Sequence, residues 1–241
     1  MRNARAFLLM LTFVIVVQGP VIAGDKEGAR TYAPRGEPVR LILEILDRAS
    51  LSASFEFSGA CPGHNPNFPP LGIVRLGHDP IRDLHKVLAD HPNIQIQQDS
   101  SGIVRMVERG IPKDILNVRI GHVSFDREGN NGKYGTYSPS SATATILSAP
   151  EVVAFMKSKH IEPSHGAGVP GNLVGERPTN QPHLSGTLEN VTVSQALDSI
   201  LATFPGMWVY QNCPARGGRG RDVFFGFFRL QRAGSNVLVV E

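Results

Sequence analysis

Cys61 and Cys213 are the only cysteines in this 241-residue chain. Zinc sites built from cysteine need closely spaced pairs, and neither cysteine here has a second one within a few residues. The chain also lacks a strong charge of either sign, since 24 Lys and Arg stand against 21 Asp and Glu. Proteins that bind nucleic acid usually carry a concentrated basic face. We therefore expect no nucleic-acid partner.

Recognisable catalytic motifs are also missing. The sequence contains no His-Glu-x-x-His zinc motif and no Gly-x-Ser-x-Gly nucleophile elbow. The glycine-rich run that starts at His165 lacks the Lys-Ser/Thr pair of a phosphate loop. We predict a protein that is not an enzyme, with no catalytic residues, metal or cofactor. The alternative is an envelope hydrolase or metal-dependent enzyme with a site assembled from scattered histidines and acids, with zinc ligands among His122, His160, His165 and His183.

The long apolar run of the chain lies at its N-terminus. Arg2 and Arg5 precede the apolar residues 6–17, and a Val-Ile-Ala sequence ends at Ala23. This layout predicts a secretory signal peptide cleaved after Ala23, because the run is shorter than the ~20 residues that a membrane span needs. Removing residues 1–23 takes away two Arg and no acid, so the formal net charge falls from +3 to +1. We expect an exported protein of a Gram-negative periplasm, with no integral membrane segment after signal removal. The alternative is an uncleaved membrane anchor at the N-terminus.

Export changes what is expected of the two cysteines. Disulfides form in oxidising compartments, so we predict a bridge between Cys61 and Cys213. In the chain-entropy model, such a long closed loop contributes about 4–5 kcal/mol, or less if the bridge is strained. The alternative is two separate buried thiols.

An internal repeat organises the mature chain. Residues 77–99 align with residues 190–212 at a constant offset of 113 and without a gap. Each copy reads as a capped helix that ends at a proline and is followed by an alternating strand. Asp79 and Thr192 stand where a side-chain oxygen caps the first turn of a helix.

Flanking strands complete the repeated unit. Residues 71–76 precede the first copy and residues 183–189 precede the second, and a further strand follows each. A third, weaker relative opens the mature protein at residues 38–57. We predict an α+β fold of two or three small β-α-β-β units, packed as mixed sheets with helices on one face and possibly divided into two lobes.

Four parts follow from this pattern. They are a signal peptide (1–23), an N-terminal α/β lobe with the first unit (24–110), a connecting region with a strand, a helix and a Pro/Gly-rich stretch (111–182), and a C-terminal β-α-β-β unit (183–241). Within the connecting region, Ser148 and Glu151 predict a capping box at the start of a helix over 148–160.

Two features near the C-terminus concern binding. Arg216, Arg219 and Arg221 stand among glycines between two strands, where guanidinium groups can bind a phosphate, a carboxylate or an acidic partner. The alternative is a mobile hairpin loop kept soluble by its charges. Four phenylalanines within residues 224–228 predict a strand covered on both faces, with an exposed binding patch as the alternative.

The C-terminal unit resembles the short N-terminal domain (STN-like) of secretins and TonB-dependent receptors. Residues at matching places are Leu188, Asn190, Val191, Val193, Ala196, Leu197, Ile200 and Leu201. Residues 71–108 match the same pattern more loosely. The resemblance implies non-catalytic work in the periplasm, such as ring assembly, signalling contacts or docking of partner proteins. We therefore expect a protein-binding or assembly module whose partner is an envelope protein or peptide.

Overall fold

The computed structural model describes seven stretches of the chain. They are residues 38–59, 76–129, 132–136, 138–163, 182–214, 220–233 and 236–240. Outside them lie the predicted signal peptide, residues 71–75 of the strand predicted at 71–76, most of the Pro/Gly-rich stretch, Cys61, Arg216 and Arg219. None of the described helices combines the length and the hydrophobicity that crossing a membrane takes.

The described residues form five helices and eleven strands. The helices are α1 (Pro38–Arg48), α2 (Pro80–Val87), α3 (Pro139–Leu147), α4 (Pro150–Ser158) and α5 (Val193–Thr203). The strands are β1 (Ala53–Ser58), β2 (Ile94–Gln98), β3 (Val104–Glu108), β4 (Arg119–Ser124), β5 (Arg127–Gly129), β6 (Gly132–Tyr134), β7 (Ile161–Pro163), β8 (Thr187–Thr192), β9 (Met207–Pro214), β10 (Arg221–Ala233) and β11 (Asn236–Val240).

Helices α2 and α5 begin where the repeat predicts. Asp79 accepts a hydrogen bond from the N–H of Arg82 at 3.0 Å, and Pro80 holds the first helical position, where its missing N–H costs nothing. Thr192 accepts from the N–H of Gln195 at 3.2 Å, and the Gln195 side chain accepts from the N–H of Thr192 at 2.9 Å. Both predicted caps are confirmed.

The main sheet is mixed, which confirms the predicted α+β class. Its strand order is β11-β10-β9-β1-β3-β2, and β7 also pairs with β10. Strand β1 runs parallel to both β3 and β9, whereas β2 and β10 run antiparallel to their neighbours β3 and β9. Because β1 joins the hairpins of the two repeated units, both units contribute to one sheet.

The strand before α5 lies outside the main sheet. Strand β8 pairs antiparallel with β4 as a separate two-stranded sheet, and β5 and β6 form another. The strand predicted at residues 183–189 begins instead at Thr187, while Leu184 makes an isolated bridge to Thr136. The C-terminal unit thus has its β-α-β-β order, with its first strand in a different sheet.

Helices cover both faces of the main sheet. Helices α1 and α2 pack on one face, against Phe55 and Val209, whereas α3 and α5 pack on the other, against Trp208 and Tyr210. The sequence pattern predicted helices on one face. The structure differs because β9 is a central strand buried on both sides, and its large aromatic side chains face α5. The two repeated helices therefore lie on opposite faces.

The phenylalanine run is buried, as predicted. Phe224 and Phe228 belong to the core beneath α1 and α2, whereas Phe225 and Phe227 belong to the core beneath α3 and α5. All four side chains are at most 7% exposed. The run therefore joins the two cores through β10 and does not form an exposed patch.

The capping box predicted at Ser148 and Glu151 is wrong. Helix α4 begins after Ala149, whose side chain makes no capping hydrogen bond. Ser148 ends α3 instead, where its hydroxyl donates to the carbonyl of Ala144. Glu151 accepts a hydrogen bond from the N–H of Gly121 at 3.0 Å, and this bond lowers the pKa of its carboxyl group. The carboxylate thus ties α4 to β4.

Candidate functional site

Among the three predicted binding arginines, Arg221 lies within the described residues. It opens β10, and its guanidinium forms an ion pair with the carboxylate of Asp114. The Arg221 side chain is 17% exposed. It therefore fastens the segment that follows β3 to the main sheet, and this guanidinium is already engaged within the fold.

Other polar groups fasten the same segment. Glu56 on β1 stands opposite Tyr210 on β9, and Lys113 Nζ lies 2.7 Å from Glu56 Oε2. The Tyr210 hydroxyl donates to the carbonyl of Pro112 at 2.8 Å. Burial raises the pKa of the Tyr210 phenol, and the nearby charge of Arg221 opposes that rise only in part. The protonated phenol donates to this segment, and the cluster holds the segment against β1 and β9.

Of the predicted disulfide partners, Cys213 lies within the described residues. Cys213 is fully buried on β9. Ser58 stands beside Asn212, whose carbonyl accepts from the N–H of Gly59 at 3.2 Å. Cys61 lies outside the described residues, so the bridge stays a prediction.

Three of the four candidate zinc ligands, His122, His160 and His183, lie within the described residues. His122 on β4 faces Glu189 on β8, with 2.7 Å between Nδ1 and Oε1, and both side chains are exposed. His160 follows α4 with a φ of 50°, and His165 lies outside the described residues. Within the described part of the chain, no group of three or more His, Cys, Asp or Glu side chains could hold a metal ion.

Arg105 forms an ion-pair network that the sequence analysis missed. Its Nη1 and Nη2 donate to the two oxygens of Asp198 at 2.7 Å each, and its Nε donates to Asp99 at 2.8 Å. Trp208 Nε1 adds a bond to Asp198 at 2.9 Å. Burial alone would lower the pKa of Arg105, but the hydrogen bonds and charge of Asp198 raise it above its ordinary value. The network joins β3, α5 and β9.

Strand β2 forms one edge of the main sheet. No other described strand pairs with its outer side. The carbonyl of Asn93 accepts from the N–H of Arg109 at 2.9 Å, and residues alternate along an antiparallel ladder. The odd-numbered residues of β2 therefore bond to β3, whereas Ile96 and Gln98 direct their N–H and C=O groups outward.

The sequence of β2 lacks the devices that usually protect such an edge. Natural edge strands carry Lys, Pro or a bulge that blocks pairing with another strand. Strand β2 reads Ile-Gln-Ile-Gln-Gln, without a charge or a proline, and its register with β3 is unbroken. Its outer edge is therefore suited to pairing with a further strand.

A groove of about 500 Å³ lies between this edge and the C-terminal end of α2. Its apolar lining residues are Leu88, Ala89, Pro92, Ile94 and Ile96, and its polar lining residues are His85, His91, Gln95, Gln97 and Arg109. Ile94 and Ile96 are half-buried against the core beneath α2. A strand added at β2 would thus find an apolar surface beside its backbone partners.

The predicted site and this edge lie in different parts of the sheet, because Arg221 belongs to β10 and β2 is the last strand on the other side. The sequence of β2 shows an alternating strand without a charge. That pattern becomes a sign of a binding edge only once the strand order places β2 at the edge of the sheet. No protein-family model, curated protein or solved structure matches this chain.

Proposed function

We propose that this chain is a non-catalytic, exported polypeptide-binding module that receives an extended segment of an envelope partner at the edge of β2. The observation that carries the proposal is the outward backbone of Ile96 and Gln98 beside the groove under α2. A segment that adds to a sheet edge gains affinity from main-chain hydrogen bonds and specificity from pockets for alternate side chains.

The two faces of β2 offer different contacts to the side chains of an added strand. On the α2 side, Leu88, Ile94 and Ile96 offer apolar contact. On the other side, Gln95 and Gln97 offer amide groups. Burying a large apolar side chain contributes about 1.5–3 kcal/mol, so two such side chains offset much of the cost of ordering a short peptide.

The strands behind the edge form a firm support. The ladder of β2 continues through β3 to β1, and the Arg105 network holds β3 against α5. A rigid template loses little conformational entropy when a segment pairs with it. Only the incoming segment therefore has to become ordered when it pairs with β2.

The predicted signal peptide and the STN-like pattern of the C-terminal unit support the envelope setting. That resemblance implies docking and assembly work without catalysis. The charged and polar groups described around Tyr210 and Arg105 support the same proposal, since internal ion pairs and hydrogen bonds engage them.

Selection of peptides on the exported chain tests this function. A phage library of random decapeptides is selected on the wild-type chain, and the affinity of the enriched peptides is compared with two variants. Gln98→Pro removes the outward N–H, whereas Gln98→Ala removes the same side chain and its bond to Gly102 but keeps the N–H.

We expect Gln98→Pro to weaken binding by about tenfold or more, through loss of a main-chain donor and of the extended geometry around it. Gln98→Ala should bind within about twofold of wild type, because an exposed side-chain hydrogen bond matters little. Failure to enrich any peptide, or equal binding to Gln98→Pro and wild type, would contradict the proposed function.

A further inference from the structure

We propose that the segment received at β2 is acidic, an inference that rests on the function proposed above. Arg109, His85 and His91 line the groove, and no described Asp or Glu does. Arg109 is exposed, and none of the ion pairs between described residues includes it. A carboxylate on the incoming strand would be its natural partner.

The carboxylates near the groove in sequence do not fulfil that role. Glu108 precedes Arg109, but its Oε2 accepts from the N–H of Ser58 at 2.5 Å and its Oε1 accepts from Asn93 Nδ2 at 2.9 Å. Asp90 is exposed on the turn after α2 and does not line the groove. Among the described lining residues, Arg109 therefore stands without a carboxylate partner.

These side chains match carboxylates in their chemistry. A guanidinium offers paired N–H donors that fit the two oxygens of a carboxylate. An imidazole such as that of His85 keeps at least one N–H donor in either protonation state. Exposed charge pairs are individually weak. In this groove they would therefore contribute mainly to specificity, while the backbone hydrogen bonds and apolar contacts supply most of the affinity.

A second copy of the chain fits this edge poorly. Two β2 strands pairing antiparallel about a two-fold axis would bring together two identical surfaces. The described lining of each groove carries Arg109 and offers no carboxylate. A second copy therefore leaves Arg109 without an opposite charge, which an acidic segment of a different polypeptide supplies.

Three synthetic decapeptides test the inference. All carry Val and Ile at the same alternate positions, and the intervening positions hold Glu, Gln or Lys. Their affinities for the exported chain are measured by fluorescence anisotropy at about 50 mM and about 500 mM NaCl, since salt screens exposed charges. The variant Arg109→Gln is compared with Lys157→Gln, which removes one exposed positive charge from α4.

We expect the Glu peptide to bind about tenfold more tightly than the Lys peptide at low salt, and the ratio to shrink at high salt. Arg109→Gln should reduce that ratio by about threefold or more, while Lys157→Gln should leave it unchanged. Equal binding of the three peptides would overturn the acidic partner and leave the proposed function in place.

Two further outcomes also overturn the inference. One is that none of the three peptides binds although library peptides bind at the Gln98 edge. The other is a concentration-dependent dimer that Gln98→Pro abolishes, because the edge would then serve a second copy of the chain. Failure of every peptide, selected or synthetic, would instead overturn the proposed function itself.

Discussion

The guanidinium of Arg105 donates two parallel hydrogen bonds to the carboxylate of Asp198, each 2.7 Å long. The bonds join β3 of the first repeated unit to α5 of the second, over a sequence separation of 93 residues. The side chains are 15% and 20% exposed, so solvent screens the pair only partly. The Arg105 pair therefore couples the two units to each other.

Removal of either partner should destabilise the fold. We expect Arg105→Ala and Asp198→Ala each to lower the free energy of unfolding by about 1–3 kcal/mol. The first leaves the partly buried Asp198 with its bond to Trp208 but without its ion-pair partner. The second leaves Arg105 with its ion pair to Asp99. Urea unfolding of both single variants and the double variant gives the coupling energy. A value of about 1 kcal/mol or more is expected, and additive single effects would contradict a direct coupling.

The acid sensitivity of the fold should depend on Asp99. Slight burial by itself would raise the pKa of Asp99, but hydrogen bonds from Ser101 and Arg105 outweigh it and hold the pKa below its ordinary value of 3.8. A depressed folded-state pKa gives stability that is present above the ordinary value and lost as the pH falls through the folded one.

The variant Asp99→Asn should therefore be less stable than wild type at neutral pH, and the difference should shrink as the pH falls below about 4. Urea titrations between about pH 2 and pH 7 measure this difference. Parallel curves for the two proteins across the whole range would show that the carboxylate charge contributes nothing.

The predicted bridge between Cys61 and Cys213 should control stability through the unfolded chain. In the chain-entropy model, a reductant should lower the free energy of unfolding by about 4–5 kcal/mol. The double variant Cys61→Ser, Cys213→Ser should have the same free energy of unfolding as the reduced wild type. Adding reductant should not change the stability of this variant. Two titratable thiols in the unfolded, unreduced protein would contradict the bridge.

Local signals in the sequence predicted the helix starts and the buried strand well. The caps at Asp79 and Thr192 and the burial of Phe225 and Phe227 depend on neighbours a few residues away, or on side-chain hydrophobicity alone. The capping box predicted at Ser148 failed because α3 ends at that residue. The Ser148 hydroxyl donates to the carbonyl of Ala144 in α3 and does not cap α4. Short patterns identify elements more reliably than they identify the boundary between two adjacent ones.

The arrangement of the elements could not be predicted in the same way. In β9, Val209 and Tyr210 are both buried, so alternation does not say which side faces α5. The Arg105 partnership depends on a fold that brings distant residues together. Strand β2 could be predicted as a strand, but its position at the sheet edge, and hence the candidate site, comes from the strand order.

Amide hydrogen exchange along β2 tests the central claim most directly. In the free chain, the N–H groups of Gln95 and Gln97 should exchange slowly because they bond to β3, while those of Ile96 and Gln98 should exchange rapidly. With an enriched peptide bound, Ile96 and Gln98 should become protected by about tenfold or more, while the other two change little. Unchanged exchange at Ile96 and Gln98 in the saturated complex would contradict strand addition at this edge.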